Sequence, residues 1–355
     1  MKARIEVVAA GLGNTLQDQG RLGQRRAGVP WSGFLDAPLA HAANTLVGNP
    51  SNEVCIEVRA AGPKLRVLQG SVWFALAGNI DATLVRASGL KEQVPAWQSV
   101  IAGEGDSLQV GVAHDACAYL AIGGGVDVPA DMGSRSTYAS IGLGGVNGRA
   151  LSTGDQLNTH NLDERVVRNL KADQPWQPWS LDVGQAAAVR VMLGPQDDCF
   201  TDQALHDLFD NTWRTSAAQD RMGVRLVGHA LQHRGAADVV SDGIAPGAIQ
   251  VPASGEPIVL LADCQTMGGY AKVATVISAD LAKMAHMPAG TALRFERVCV
   301  EQAHAALLAY RQQWQQWCGG VAPYVPPGWL DEAALASANL ISGVVRAQDT
   351  HFDEE

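Results

Sequence analysis

The stretch Val72-Trp73-Phe74-Ala75-Leu76-Ala77-Gly78-Asn79-Ile80-Asp81-Ala82-Thr83-Leu84-Val85 decides the fold class. Two apolar runs, Val72–Ala77 and Ala82–Val85, flank a Gly-Asn turn signal and are too short for helices. The surrounding sequence repeats the pattern in Val54–Val58, Lys64–Val67, Ser107–Gly111 and Ala116–Ile122, each bounded by Gly, Pro, Asn or Asp. Short strands at this spacing predict a barrel or sandwich, not a doubly wound α/β sheet. Upstream, Arg4–Ala10 reads as a strand and Gly11–Gly28 as a polar turn. A helix is expected over Asp36–Val47, with Pro38 in its first turn and Gly48-Asn49-Pro50 as its stop.

Residues 160–180 are charged, proline-containing and weakly periodic, and so mark an expected boundary. An N-terminal lobe is assigned to 1–165, a second to 180–300, and a terminal helix with a tail to 301–355. Within the second lobe, Ala188–Leu193 and Leu293–Val300 read as framing strands, with a helix near Asp202–Phe209. Glu301–Cys318, rich in Ala and Gln, has helical periodicity. The last dozen residues are polar and expected to fray. The lobes share no sequence period, although each pairs strands with one or two helices.

A chain of 355 residues suggests two lobes or one large β architecture. A hydrophobic content of 47% is that of a protein with a real core. The net charge of -10 argues against nucleic acid as the main partner, but leaves a small anionic substrate open. Cysteines 55, 117, 199, 264, 299 and 318 form no CxxC pair and no cluster with histidines. Reduced thiols in a cytoplasmic protein are the expectation. Met1–Ala10 carries too short an apolar run for a signal peptide or a membrane span.

Several chemistries lack their motif. There is no GxxxxGK[ST] for a nucleotide, no HExxH for zinc and no GxSxG for a nucleophilic serine. Gly11-Leu12-Gly13 lacks the third glycine of a dinucleotide fingerprint and reads as a turn. His229 and His233 stand four apart without a nearby carboxylate, so no metal site is assigned. A biotin-carrying Ala-Met-Lys-Met is absent, Lys283-Met284 lying in a helical context. The tryptophans of the 173–214 and 314–317 segments read as packing or interface residues.

Four segments combine glycine with polar residues more densely than turns require. They are Gln17–Gly23 continuing through Gly28–Asp36, Gly123–Pro129 leading into Gly133-Ser134-Arg135-Ser136-Thr137, Asp220–Leu226, and Pro246–Pro252 with Asp263–Lys272 and Val276–Leu281. On the motifs QDxGRxG, GSRST, RMGxRL and DxQTxGGYxK, the chain resembles the family of the C subunit of bacterial 5-oxoprolinase. That family includes the carboxyltransferase domain of urea amidolyase, also called allophanate hydrolase subunit 2. The match runs from about Gln17 to Phe295 in the family's order. It implies two cyclophilin-like β-barrel lobes with a few flanking helices, in agreement with the mainly β reading. Departures are Ala271 in place of a usual proline, Cys264 in place of a common arginine, Gly-Phe-Leu-Asp at 33–36 for Gly-Ala-Met-Asp, and His229.

Amide or lactam attack, like urea carboxylation, builds negative charge on a carbonyl oxygen, which calls for sheltered donors. Gly268 and Gly269 are expected to let backbone approach closely, to adopt positive φ and to aim N–H groups at a ligand. Tyr270 and Lys272, two apart, share one face of a strand. Lys272 is assigned to polarise the carbonyl, Asp263 to orient Lys272 or act as a base, and Tyr270 joins them as catalytic. Gln265 or Thr266 fixes the substrate amide, with Gln250 in the same binding set. Arg221 and Arg135 are candidate carboxylate clamps. The alternatives are structural: a turn at Asp263–Gly269 with Lys272 a solvent-facing strand lysine, an inter-lobe salt bridge through Arg135, loop closure by Gln17, Asp18 and Arg21, and a local cap of Arg221 by Asp220.

The first functional expectation is one component of an ATP-dependent enzyme that opens 5-oxoproline to glutamate, inactive alone. The chain binds no cofactor through a recognisable motif, so ATP would act through partners. The resemblance implies two of these, a smaller cyclophilin-like B subunit and a LamB/YcsF-type A subunit. The second expectation is a biotin-dependent carboxyltransferase acting on urea or a related amide, with carboxybiotin supplied in trans. A third is a regulatory binding module without catalysis, such as a histidine kinase inhibitor.

Overall fold

Residues 2–161, 169–176 and 185–325 are described by the computed structural model. Val72–Ala77 and Asp81–Val85 are both strands, but they belong to different sheets. Between them Gly78 has φ +118°, and a Cβ there would run into Ala118, so glycine is needed where the chain changes sheet.

One antiparallel sheet runs in the order Thr15–Gln17, Cys55–Val58, Ala118–Ile122, Val72–Ala77, Ser99–Ala102. The other runs Gln156–Asn158, Arg4–Ala9, Lys64–Gln69, Ser107–Val110, Asp81–Val85, Lys91–Pro95. Alternate residues of both, including Ile5, Val7, Leu65, Leu84, Ile56, Phe74 and Leu120, enclose one core. Helix α1 (Ala37–Leu46) covers the outer face of the first sheet. The small side chains of Ala75, Ala77 and Ala121 there leave room for Ala40, Ala43 and Leu46 of the helix.

The second half is a closed barrel. Its order is Ala187–Leu193, Ala292–Arg297, Trp213–Gln219, Gly223–Val227, Ile258–Leu260, Ala248–Val251, Met267–Val276, and the last strand pairs again with the first. The pairing of Ala187–Leu193 with Ala292–Arg297 is parallel. Asp238–Gly243 is appended outside the ring, on the first half of Met267–Val276. Three further helices are α2 (Asp202–Asp210), α3 (Ser278–His286) and α4 (Val300–Gly319). The molecule is mainly β, as the sequence predicts.

Several bounds differ from expectation. The strand read as Leu293–Val300 ends at Arg297, because Cys299 opens α4 and its N–H is bonded by the Gln302 side chain at 2.8 Å. The strands Lys91–Pro95 and Ser99–Ala102 were not read from sequence, and the helical context expected around Lys283-Met284 is helix α3. Most of the boundary expected within 160–180, Trp179, and the tail from 326 lie outside the described residues. Trp176, Trp314 and Trp317 pack together, Trp314 stacking on Trp317 at 5.1 Å. His229 and His233 take different partners, the Asp207 carboxylate and the Val251 carbonyl. Among the described residues, no helix is long and apolar enough to cross a membrane.

The barrel is tied to the N-terminal sheets through Asp36. One carboxylate oxygen caps α1 at the Leu39 N–H (2.9 Å), and the other meets His286 Nε2 of α3 at 2.7 Å. Burial opposes the imidazolium, but the neighbouring Cys117 and Asp36 outweigh it and hold the His286 pKa well above its ordinary value. Burial also pushes the Cys117 thiol up, so it stays protonated at neutral pH and Asp36 is the working counter-charge. A pKa raised on folding stabilises fully below the unfolded value of roughly 6.5, and that stabilisation is lost as pH rises through the folded value. The melting temperature should therefore fall as pH is raised into the alkaline range. His286→Gln should flatten this dependence, as read by thermal unfolding monitored by circular dichroism.

Candidate active site

Asp220-Arg221-Met222-Gly223 make a tight turn, closed by Asp220 Oδ1 accepting from the N–H groups of Met222 (2.8 Å) and Gly223 (3.2 Å). Asp220 thus shapes the turn and does not cap Arg221. The turn sends the Arg221 guanidinium into the seam between barrel and N-terminal sheets. There Nε and Nη2 grip both oxygens of Asp263 (2.9 and 3.0 Å) and Nη1 donates to Glu57 Oε1 (2.6 Å). Nη2 also reaches the Gly33 carbonyl (2.6 Å) and Gln17 Oε1 (3.3 Å). Burial opposes this charge, yet Glu57 and Asp263 outweigh it and raise the Arg221 pKa.

The network continues inward. Glu57 Oε2 accepts from the Tyr119 hydroxyl at 2.7 Å, and that hydroxyl accepts from the Asp36 N–H at 3.1 Å. Burial and Glu57 push the Tyr119 pKa well up, so the hydroxyl stays the donor. Beside it, Asp18 gathers the GSRST segment, accepting from Ser134 Oγ (2.5 Å), Ser136 Oγ (2.6 Å) and the Arg135 N–H (2.6 Å). Arg21 is fully buried and donates Nη2 to the Ser136 carbonyl at 2.5 Å.

These contacts correct three expectations. Arg221 is not a free carboxylate clamp, because its donors already hold the chain's own carboxylates. Asp263 does not orient Lys272; it faces Arg221. Arg135 is neither a carboxylate clamp nor an inter-lobe salt bridge, since it ties loops within the N-terminal half, donating Nε to the Val128 carbonyl (3.1 Å) with Glu53 at 3.6 Å.

Lys272 has a different partner. Its ammonium donates to Asp242 Oδ2 at 2.9 Å, and its N–H to Gln196 Oε1 at 3.0 Å. Lys272 holds the Asp242 carboxyl below the usual carboxylate range. The lysine side chain is 5% exposed and Asp242 59%, so a buried cation leans on a solvent-facing anion. Val273 bulges from the ladder here, since Gln250 pairs with Lys272 and Ile249 with Ala274.

Gly268 and Gly269 sit inside the Met267–Val276 strand and neither has positive φ. The expected nest of free N–H groups is therefore replaced by ladder pairing. Gly268 is needed for close approach instead, because a Cβ would collide with Ile244 and the Gln250 amide. Thr266 engages the backbone, its carbonyl accepting from the Ile244 N–H at 3.0 Å.

Three of the expected residues do converge. Gln250, Gln265 and Tyr270 line a cavity of about 450 Å³ on the barrel's outer surface, with Arg225, Ile258 and Leu260 on its wall. Gln250 Nε2 lies 3.4 Å from the Tyr270 carbonyl. Arg25 reaches across from the N-terminal half to the Ile244 and Gln265 carbonyls, so the cavity borders the seam. Lys272 is next to Gln250 in the same cross-strand row. The cavity thus offers two side-chain amides and a phenol beside apolar surface, a set that pairs with an amide bond. Arg225 belongs to RMGxRL but was not singled out, because its in-register neighbours could not be read from one strand.

Residues 27–297 match the family model of the carboxyltransferase domain, subdomain A and B. The chain belongs to that family. This carboxyltransferase-domain chain is 34% identical to the C subunit of Escherichia coli K12 5-oxoprolinase, over 88% of its own length and 96% of the relative's. It is 30% identical to urea amidolyase of Saccharomyces cerevisiae, covering 85% of this chain but 17% of that protein. The solved structure of Kluyveromyces lactis urea amidolyase superposes with TM-score 0.77 at 26% identity, over 92% of this chain and 22% of that one.

Removing the Arg221 side chain strands two buried carboxylates. Arg221→Ala should lower unfolding free energy by about 3–5 kcal/mol in urea denaturation. Gly268→Ala should cost about 1–3 kcal/mol through overpacking against Ile244 and Gln250, read by the same titration.

Proposed function

We propose that this chain is the C subunit of an ATP-dependent 5-oxoprolinase, acting with partner subunits to open the lactam 5-oxoproline to glutamate. The observation that carries the reading is the near end-to-end match to the C subunit of Escherichia coli 5-oxoprolinase. The cavity supports it chemically. Gln250 and Gln265 present amide donors and acceptors for the ring N–H and C=O, and Tyr270 adds a hydroxyl at the rim.

A lactam is resonance-stabilised, and water attacks it slowly. Transfer of the terminal phosphoryl group of ATP to its oxygen releases ADP and makes the ring carbon electrophilic. Water adds there, the C–N bond breaks to free the amine and leave an acyl phosphate, and a second water releases phosphate to give glutamate. ATP is held by the partners in this reading: a cyclophilin-like B subunit and a LamB/YcsF-type A subunit. Lys272 stabilises the developing negative charge, with Asp242 as a displaceable counter-ion. Asp263 contributes indirectly, holding Arg221 and so the seam beside the cavity.

The family model favours a second reading, carboxyl transfer from carboxybiotin to urea or a related amide. The readings separate in one experiment. The chain is co-expressed with its neighbouring subunits, and ATP consumption is followed with 5-oxoproline and then with urea. The expected result is 5-oxoproline-dependent ATP use by the complex and none by the chain alone. Urea-dependent, biotin-requiring turnover would replace the first reading by the second. Lys272→Met should lower kcat of the assembled complex about 10²–10³-fold with KM little changed.

A further inference from the structure

Four adjacent barrel strands place Lys272, Gln250, Ile258 and Arg225 in one cross-strand row. Cross-strand neighbours point to the same face, and neighbouring strands lie about 4.8 Å apart. Gln250, Ile258 and Arg225 all line the cavity. Along its wall an amide is followed by an apolar side chain and then by a cation.

The cations near the site differ in how firmly they are held. Arg221 is saturated by Asp263, Glu57 and Gly33. Lys272 pairs with Asp242, and Arg25 with two backbone carbonyls. Arg225 has a looser partner, Glu256 at 3.7 Å, with the two side chains 42% and 38% exposed. So exposed and so long a pair holds its guanidinium weakly. Asp220, the acid of the cavity wall, is turned to the Met222 and Gly223 N–H groups.

We propose that Arg225 is the specificity-determining residue of the cavity, taking the carboxylate of a carboxylated lactam whose ring amide pairs with Gln250. The inference rests on the 5-oxoprolinase reading and names how that substrate is selected. The ring methylenes lie over Ile258, between the two polar anchors. Glu256 is the guanidinium's resting partner, and the substrate carboxylate displaces it as a bidentate ligand. Urea has neither a carboxylate nor methylenes, and leaves both Arg225 and Ile258 without a counterpart.

The test uses the assembled complex and two lactams, 5-oxoproline and 2-pyrrolidinone, which is the same ring without the carboxylate. Arg225→Gln should raise KM for 5-oxoproline about 10- to 100-fold, the range of a charge-assisted hydrogen-bond pair, with kcat changed only a few-fold. The same variant should leave turnover of 2-pyrrolidinone where it was. Arg225→Lys keeps the charge without the fork and should fall between, and it carries the test alone if Arg225→Gln fails to assemble. A wild-type KM for 5-oxoproline in both variants, or an equal loss on both lactams, overturns the role of Arg225. A wild-type complex that turns over urea and not 5-oxoproline overturns the parent reading, and the inference with it.

Discussion

Arg221 crosses from the tip of a barrel turn to a strand of the neighbouring sheet, and the relation of the two halves depends on what it finds there. A guanidinium taken out of water is tolerable only with counter-charge and full hydrogen bonding. Asp263 supplies the first anion from the barrel and Glu57 the second from the Cys55–Val58 strand. Because Glu57 is in turn fixed by Tyr119, and Tyr119 by the backbone of Asp36, the charge network ends at the cap of α1. Sheet, helix and barrel turn share one electrostatic account. Loss of Arg221 leaves two buried carboxylates without their cation.

That arrangement divides the labour among polar residues. The seam residues Gln17, Glu57, Arg221 and Asp263 hold the halves in place, while Gln250, Gln265 and Tyr270 face a cavity that solvent can enter. A ligand in the cavity therefore meets Gln250 and Tyr270, positioned by ladder pairing, and Gln265 on the loop just before Met267–Val276, with the charge network behind them. Rigid barrel strands are a more accurate platform for such residues than loops would be.

Much of the fold was readable because it rests on local pattern. Val72–Ala77 coincides with its observed bounds, and Asp36–Val47 marks the cap residues at both ends of α1. Lys91–Pro95 escaped because it is an edge strand with Val94 alone buried, so no alternation betrays it. The candidate site was legible as residue types and not as pairings. Gln250, Gln265 and Tyr270 do meet at one cavity. Asp263 was matched with the nearest basic residue of its own segment, whereas its partner lies 42 positions away. Glu57, Tyr119, His286 and Arg225 act only through neighbours distant in sequence, a relation that spacing cannot express.

The strand Asp238–Gly243 stands outside the closed ring and supplies the counter-ion of a lysine that belongs to the ring. Its ladder is irregular, with Asp238 opposite Tyr270 and Asp242 opposite Gly268. A slip of one residue there would turn Asp242 to the opposite side. Lys272 would then keep its burial and lose its counter-charge, a costly state for a group taken out of water. The alignment of a peripheral strand thus sets the charge balance around an ammonium inside the barrel wall, which makes that strand a lever on the chemistry.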